Sequence, residues 1–478
     1  MLFAAITGGC CLLTAAGLSA APGPAARAAT ARSFAARSAA VRSAPPARPA
    51  SDQDWAAYLN GPAHTSFSPG QRAITPASVS RLAVQWRFRS GFVAGPTVAG
   101  GAVYVGTKSG WFYKLSVATG HVLAKRFLGV QRSITCPGPL GITDTATVER
   151  DSTGRLTVYV GGADGYLYAL RATDLSVRWR SVIAVPSAKV NNFFQWSSPT
   201  VTGGRIFIGI ASNCDRPLVR AGLASYSQAT GKRLAVYHPM PRRLIGGSIW
   251  SSAAVDSSGH VYVSTGNALK HQQRTGRPDS ITRLDPTTLR AAGSFEVPAA
   301  EVVRDGDFGS SPTIFGRYVG ACDKNGYFYA LNRSTMRLAW SRQVGAAANA
   351  DMSCLAAAAY DGNDLYVAGP GQTISGVAYD GSVQDLDPDT GAARWQTGLP
   401  DAVIGSPSVD GAGVLAVGTY QVTGAPNGIY LIDAATGTIL RRLTGGSPDF
   451  AQNVFAEGRL FTANGAYLTA WQVGSAGH

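Results

Sequence analysis

Ser198-Pro199-Thr200-Val201, Phe207-Ile208-Gly209, Leu223-Ala224-Ser225-Tyr226 and Thr230-Gly231 make up one period of a pattern that recurs from residue 95 onward. Each period opens on a small-Pro-x-Val run and continues through a Val/Ile-Tyr-Val-Gly run and a Leu-Tyr-Ala-Leu run. A Thr-Gly turn follows, then a segment that often ends in Trp, as at Trp179, Trp340 and Trp395. Short β-branched and aromatic runs separated by glycine turns read as strands. Gly95-Pro96-Thr97-Val98, Ser311-Pro312-Thr313-Ile314 and Ser406-Pro407-Ser408-Val409 repeat the first strand. Tyr104-Val105-Gly106, Tyr159-Val160-Gly161 and Tyr366-Val367-Ala368 repeat the second. Aligning the ends of the third strands gives Ser116, Arg171, Ser227, Asp285, Asn332, Asp387, Asp433 and Gln472, spaced roughly 40 to 58 residues apart. Four strands per period and eight periods predict an all-β, eight-bladed β-propeller of four-stranded antiparallel blades.

The last period stops after its third strand, near Trp471, while a lone strand with fourth-strand character, Leu82–Phe88, stands ahead of the first period. Pairing the two closes the ring and removes two sheet edges. The predicted division is a signal peptide over 1–29, an Ala/Pro/Arg/Ser-rich linker over 30–51 and one propeller over 52–478. The apolar runs Leu2–Ile6 and Cys11–Ala21 and the small residues Leu18-Ser19-Ala20-Ala21 carry the signal reading. It implies a secreted or cell-envelope protein, with no span of a bilayer after the first twenty residues.

The composition agrees: 57 glycines, 45% hydrophobic and only 15% charged residues exclude global disorder, and no collagen period or heptad is present. The net charge of +14 invites a nucleic-acid reading. Five of those charges, Arg27, Arg32, Arg37, Arg42 and Arg48, lie ahead of the propeller, and no dense Lys/Arg run with interleaved aromatics follows. No nucleic-acid partner is expected. Cys136, Cys214, Cys322 and Cys354 remain after signal removal, an even number for an oxidising compartment, with three possible connectivities. There is no C-x-x-C, C-x-x-C-H, H-x-x-x-H, P-loop or Gly-x-Ser-x-Gly.

In a propeller, loops leaving second strands and loops approaching first strands share one face. Residues the repeat does not need gather there: Asn191 to Trp196, Gly247 to Trp250, Arg304 to Phe308, Asn213-Cys214-Asp215, Thr265-Gly266-Asn267 and Cys322-Asp323-Lys324-Asn325. Acids, amides, a lysine and two tryptophans on one face have the composition of a ligand site.

The repeat resembles that of the quinoprotein, or PQQ-dependent, alcohol dehydrogenase family. Asp387-Pro388-Asp389-Thr390-Gly391-Ala392-Ala393-Arg394-Trp395 is similar to its tryptophan-docking motif. Asp54-Trp55, Asn60-Gly61, Thr65-Ser66-Phe67-Ser68-Pro69, Ile74-Thr75, Val79, Leu82 and Trp86 resemble its N-terminal segment. Outer-membrane assembly scaffolds use the same repeat without catalysis. The resemblance implies PQQ and Ca²⁺ as cofactors. It implies Trp250 and Trp196 as aromatic surfaces for the quinone, Lys324 and Asn325 as its polar contacts, and Asn267, Asp307 and Asp215 as cation ligands. It also implies Asp307, or Asp305 two residues earlier, as the general base. The reaction implied is oxidation of an alcohol, secondary or polymeric alcohols such as polyvinyl alcohol included, with electrons leaving to a separate acceptor. A non-catalytic propeller that binds protein or polysaccharide is the alternative. Three departures stand out: Arg216-Pro217 occupies the place of the family's calcium-binding glutamate, Cys136-Pro137 replaces its adjacent cysteine pair, and Leu140-Gly141 replaces a downstream arginine. The mature cysteines are expected instead to staple loops, with Cys322–Cys354 as the favoured pair.

Overall fold

The structure is a computed structural model. It describes residues 53–474 except 92–93, 133–138, 152, 188–191, 274, 347–352, 421–426, 445–450 and 464. The expected signal peptide, the linker and Cys136 lie outside the described residues. Eight four-stranded antiparallel blades form over 97–127, 147–182, 200–237, 254–296, 313–343, 359–399 and 408–444, and over 454–473 together with Leu82–Arg89. The predicted closure is observed, since Leu82–Arg89 pairs antiparallel with Tyr467–Val473, from Leu82 opposite Val473 to Arg89 opposite Tyr467. Among the described residues no helix is long and apolar enough to cross a membrane.

Blades stack face to face, so their second strands are covered on both sides. Ala102–Gly106, Leu156–Gly161 and Val414–Gly418 are buried at every position, which is why they read as continuous apolar runs. Fourth strands sit at the rim and stay half-exposed, as Val177–Val182 does.

The seams between blades follow a size rule. Trp340 of the fifth blade lies on the Thr-Gly turn of the sixth, where a Cβ on Gly391 would come 2.5 Å from its ring. Its indole N–H donates to Pro388 O at 3.1 Å. Trp86, Trp179 and Trp395 dock in the same way on Gly120, Gly231 and Gly437. Three blades have a small residue at the Trp position: Ala124, Ala235 and Gly293. In each following blade the turn glycine is replaced by a large residue, Leu175, Leu289 or Met336, which is buried and keeps the left-handed backbone at φ 59, 54 and 56. The bulk has moved across the seam, and it outweighs the steric cost of a left-handed leucine or methionine. At the eighth seam Arg441 takes the Trp position and its guanidinium donates to the carbonyls of Val79, Ser80 and Leu82, tying down the closing strand.

A reciprocal swap tests the rule. Ala235→Trp alone drives an indole into Leu289 and should cost about 1–3 kcal/mol. Leu289→Gly alone leaves a hole and should cost about 2–5 kcal/mol. The double variant should be more stable than the sum predicts by at least about 1 kcal/mol in urea unfolding; additive losses would refute the rule.

The segment ahead of the closing strand runs around the propeller axis. Backbone N–H groups of Val98, Val148, Val255, Ile314, Tyr360 and Val409, one from each of six first strands, donate to the carbonyls of Trp55, Ala56, Pro62, Ala63, Thr65 and Ser66. A second ring links first strands to the next blade: the hydroxyls of Thr97, Thr147, Thr200 and Thr313 donate to Ala146, Pro199, Ala253 and Ala358 carbonyls. The fourth and sixth blades have Ala254 and Ala359 at that position. The carbonyls they leave, of Pro312 and Pro407, are taken by His64 Nδ1 at 3.0 Å and Ser66 Oγ at 2.6 Å. The leading segment thus supplies a donor at two places where the blades lack one.

Candidate active site

Three neighbouring blades bring the singled-out residues to one face. Asp215 follows the second strand of the third blade, Arg205–Ser212, and Asn267 that of the fourth, Val261–Ser264. Lys324 follows that of the fifth, Tyr318–Cys322. Asp305 and Asp307 lie in the loop leading to the first strand of the fifth blade, Thr313–Phe315, and Trp250 in the loop leading to the fourth.

These side chains meet. Lys324 Nζ lies 2.8 Å from Asp307 Oδ1 and 3.6 Å from Asp305 Oδ2. The same ammonium sits 5.4 Å from the Trp250 ring centroid, a cation–π contact. Asn267 Nδ2 donates to Asp305 Oδ1 at 2.8 Å and to Asp307 Oδ2 at 3.4 Å. Asp215 accepts from Ser212 Oγ, and from Ser248 Oγ at 3.5 Å. Backbone strain gathers here too, with Cys214, Asp215 and Asp305 at φ 50, 53 and 57.

Two glycines permit these contacts. A Cβ on Gly266 would lie 2.8 Å from Asp307 Oδ2, and one on Gly309 would lie 2.8 Å from the Trp250 ring. Gly266 falls within the Thr265-Gly266-Asn267 run without a role of its own in the sequence, and Gly309, two residues after Asp307, has no local signal at all. Lys324 is fixed from behind. Its backbone N–H donates to Asp307 O at 3.1 Å. Cys322, two residues earlier, is disulfide-bonded to Cys354 as expected, with a Cα–Cα distance of 5.6 Å. Cys214 is also disulfide-bonded.

The charges are frustrated by burial. Asp307 is pushed up to about 7, first by desolvation and then by Asp215 and Asp305, against the pull of Lys324. Burial likewise raises Asp215, with Ser212 and Lys324 opposing and Asp305 adding to the rise. Burial works against the Lys324 charge, but Asp307, Asp305 and Asp215 outweigh it and hold the ammonium above the usual lysine range. Three carboxylates thus face one ammonium in a poorly solvated place. Asp307 combines a nearly neutral pKa with a positioned cation, as a general base requires.

Two residues stand apart from this cluster. Trp196 donates its indole N–H to Ser212 O at 3.1 Å and packs edge-on against Phe194, one residue removed from Asp215 through Ser212. Asn325 is committed to its own turn: Nδ2 donates to Tyr329 Oη at 2.7 Å and to Glu301 O at 3.2 Å, and Oδ1 accepts from Tyr327 N at 2.9 Å.

The donor chemistry suits the implied groups. Trp250 is partly exposed and offers a flat aromatic surface beside a fixed ammonium. Carboxylate and amide oxygens suit a hard cation, and a divalent ion would offset the excess negative charge. Among the described residues no three His, Cys, Asp or Glu side chains are placed to hold a metal by themselves, so a cation here would depend on Asn267 as well as on carboxylates.

The eight-bladed repeat places the chain among the PQQ_2 repeat proteins. Residues 77–293 and 300–444 match the PQQ_2 family, described as outer membrane protein assembly factor BamB, and the chain belongs to that family. It is 24% identical to a polyvinylalcohol dehydrogenase of Pseudomonas sp, over 63% of this chain and 52% of the relative. The chain therefore spans about half the length of that protein. Its fold is similar to quinohemoprotein alcohol dehydrogenase from Comamonas testosteroni, with a TM-score of 0.69, 18% identity, and coverage of 89% of this chain and 81% of the other. It is also similar to BamB from Moraxella catarrhalis, with a TM-score of 0.55, 15% identity, and coverage of 83% and 99%. At such identities the structural likenesses establish the fold, and the chain is a PQQ-type alcohol-dehydrogenase-like propeller.

Proposed function

We propose that this chain is an exported, PQQ-dependent alcohol dehydrogenase that uses Ca²⁺. The carrying observation is the contact of Asp307, Lys324 and Asn267 beside Trp250. Trp250 would carry the planar ring, with Trp196 nearby, and Asp215, Asn267 and Asp307 would hold the cation, Asn267 by its amide oxygen. Bound PQQ would supply a carbonyl that accepts hydride. Asp307 would take the alcohol hydroxyl proton on Oδ2, the oxygen turned away from Lys324, with Asp305 as the more exposed second carboxylate. Lys324 would offer a fixed N–H donor to charge developing on a neighbouring oxygen. The match to a polyvinylalcohol dehydrogenase supports secondary or polymeric alcohols as substrates, and the disulfides support an extracytoplasmic location.

The match to the assembly-factor family favours a second reading, a non-catalytic propeller that binds protein or polysaccharide. Reconstitution decides between them. The purified chain, incubated with PQQ and millimolar Ca²⁺ and passed through gel filtration, should retain quinone absorbance and reduce a dye with simple secondary alcohols. Ca²⁺ alone should raise the melting temperature, less so for Asn267→Ala. Absence of retained quinone would sink the enzyme reading and leave the binder.

A further inference from the structure

The leading segment leaves the first strands of the third and eighth blades without a backbone partner among the described residues. At the eighth it is only entering, and Glu457 N donates to Gln53 O at 2.9 Å. At the third it passes by. Val201 stands opposite Ile206 as Val98 stands opposite Val103. Val98 exchanges both backbone bonds with Trp55, donating at 2.9 Å and accepting at 2.8 Å. The N–H and C=O of Val201 turn the same way, toward the axis, and buried backbone groups nearly always have a partner. Between Ala56, bonded to the second blade, and Pro62, bonded to the fourth, the chain instead arches over 57–61. Leu59 and Asn60 hold left-handed backbone there, at φ 48 and 56, at a cost greatest for the leucine. The arch is pinned: Leu59 N donates to Gln452 Oε1 at 3.0 Å, Ser66 N to Leu59 O at 2.9 Å and Asn60 Nδ2 to Phe67 O at 2.6 Å. Arch and strand edge line a cavity of about 80 Å³, where Ala56, Ala57, Pro62, Val148 and Pro199 surround Val201. Its other polar groups are committed: Thr147 to Pro199 O, Thr200 to Ala253 O and His64 to Pro312 O. Burial keeps His64 neutral at pH 7, with its pKa lowered to about 4. Glu149, exposed at the mouth, is the one charged residue of the lining.

We propose that this cavity is a subsite for the acetamido group of an N-acetylated sugar. Its interior offers one backbone donor, one backbone acceptor, small apolar side chains and no charge. An amide answers both backbone groups, its N–H toward Val201 O and its C=O toward Val201 N, while its methyl meets alanine, valine and proline. A water takes up about 30 Å³ of liquid, so the space holds a group of roughly three or four heavy atoms and excludes a sugar ring. The ring stays at the mouth, where the Glu149 carboxylate accepts from its hydroxyls. Because the arch lies over the strand edge, the space takes a pendant amide rather than a peptide strand running through. The pinned arch preforms the site, so little ordering cost falls on the ligand. The mouth lies toward the hairpin end of the first strand that carries Glu149, away from the loops of Asp307 and Lys324, and the inference does not rest on the dehydrogenase reading.

The test titrates the purified chain, without PQQ, with triacetylchitotriose, which should bind with a millimolar Kd. Cellotriose, which lacks the acetamido groups, and chitotriose, which carries free amines, should bind at least about tenfold more weakly for the loss of two hydrogen bonds. Ala57→Phe places a ring in the cavity from a half-exposed position and should abolish binding with the melting temperature unchanged. Glu149→Ala, at the exposed mouth, should weaken binding by about three- to tenfold, and it decides the matter if the phenylalanine variant proves unstable. Absence of binding, equal binding of cellotriose, or binding that Glu149→Ala leaves intact would overturn the proposal. Tighter binding of N-acetyl-trialanine than of triacetylchitotriose would overturn the sugar as the occupant in favour of an acetylated peptide end.

Discussion

Asp307→Asn should lower dye-linked alcohol oxidation by about 10²–10⁴-fold, the range expected when a positioned general base is removed. Asparagine keeps the shape and one acceptor oxygen for Lys324, giving up only the longer 3.4 Å bond from Asn267, which still donates to Asp305, so the reconstituted variant should fold and retain quinone absorbance. A rate within a few-fold of the wild type would remove Asp307 from the chemistry. The pH profile offers an independent check. Without a cation Asp307 is half-ionised at about pH 7; a bound divalent ion favours the carboxylate, so in the Ca²⁺-reconstituted chain kcat/KM should rise with pH below that region. Stability runs the other way. The folded pKa of Asp307 lies above its ordinary 3.8, so its contribution is complete below 3.8 and is lost as pH rises through about 7. The wild type should therefore lose stability relative to Asp307→Asn over that interval. A residue that only fills space would give the same difference at every pH.

What the sequence disclosed follows the reach of each interaction. Strands, Thr-Gly turns and ring closure repeat locally, and the repeat number follows from counting. Asp215, Asn267, Asp307, Lys324 and Trp250 stood out because the blade repeat does not need them and the topology sends their loops to one face. The seam rule was hidden, because Leu175, Leu289 and Met336 look like decayed motifs until Ala124, Ala235 and Gly293 are seen across from them. Asn325 resembled a cofactor contact by its place in the chain, but a short-range turn captures its amide. Gly266 and Gly309 matter through close approaches from other loops, which no local pattern records. Least legible was the leading segment. Ser66 stood out there only as part of a family-like run, and His64 belongs to no motif. Their partners, Pro407 and Pro312, are 341 and 248 residues away in sequence.

His64 should make the propeller acid-sensitive. It is buried, donates from Nδ1 to Pro312 O at 3.0 Å and meets Tyr58 edge-on at 5.4 Å. Accepting that hydrogen bond leaves Pro312 O satisfied only while Nδ1 carries its proton, so the neutral ring is the Nδ1–H tautomer. Desolvation lowers its pKa from 6.5 to about 4, against the opposing pull of the Pro312 carbonyl. As pH falls through 6.5 the unfolded chain takes up a proton that the folded one refuses until about 4. Stability is therefore lost across that window, by on the order of 3 kcal/mol in total. The raised carboxyls of Asp144, Asp307 and Asp410 work in the opposite direction, so the wild-type curve alone does not isolate the histidine. Comparison with His64→Asn does. Asparagine tolerates the left-handed backbone at φ 58 and keeps an N–H donor without titrating. At pH 7 the wild type should be the more stable by about 1–2 kcal/mol, for packing lost around a smaller side chain. At pH 4.5 urea unfolding should show that advantage gone or reversed. A difference that stays constant from pH 7 to 4.5 would mean that the ring takes up its proton inside the folded propeller, and that the axis is wetter there than its burial indicates.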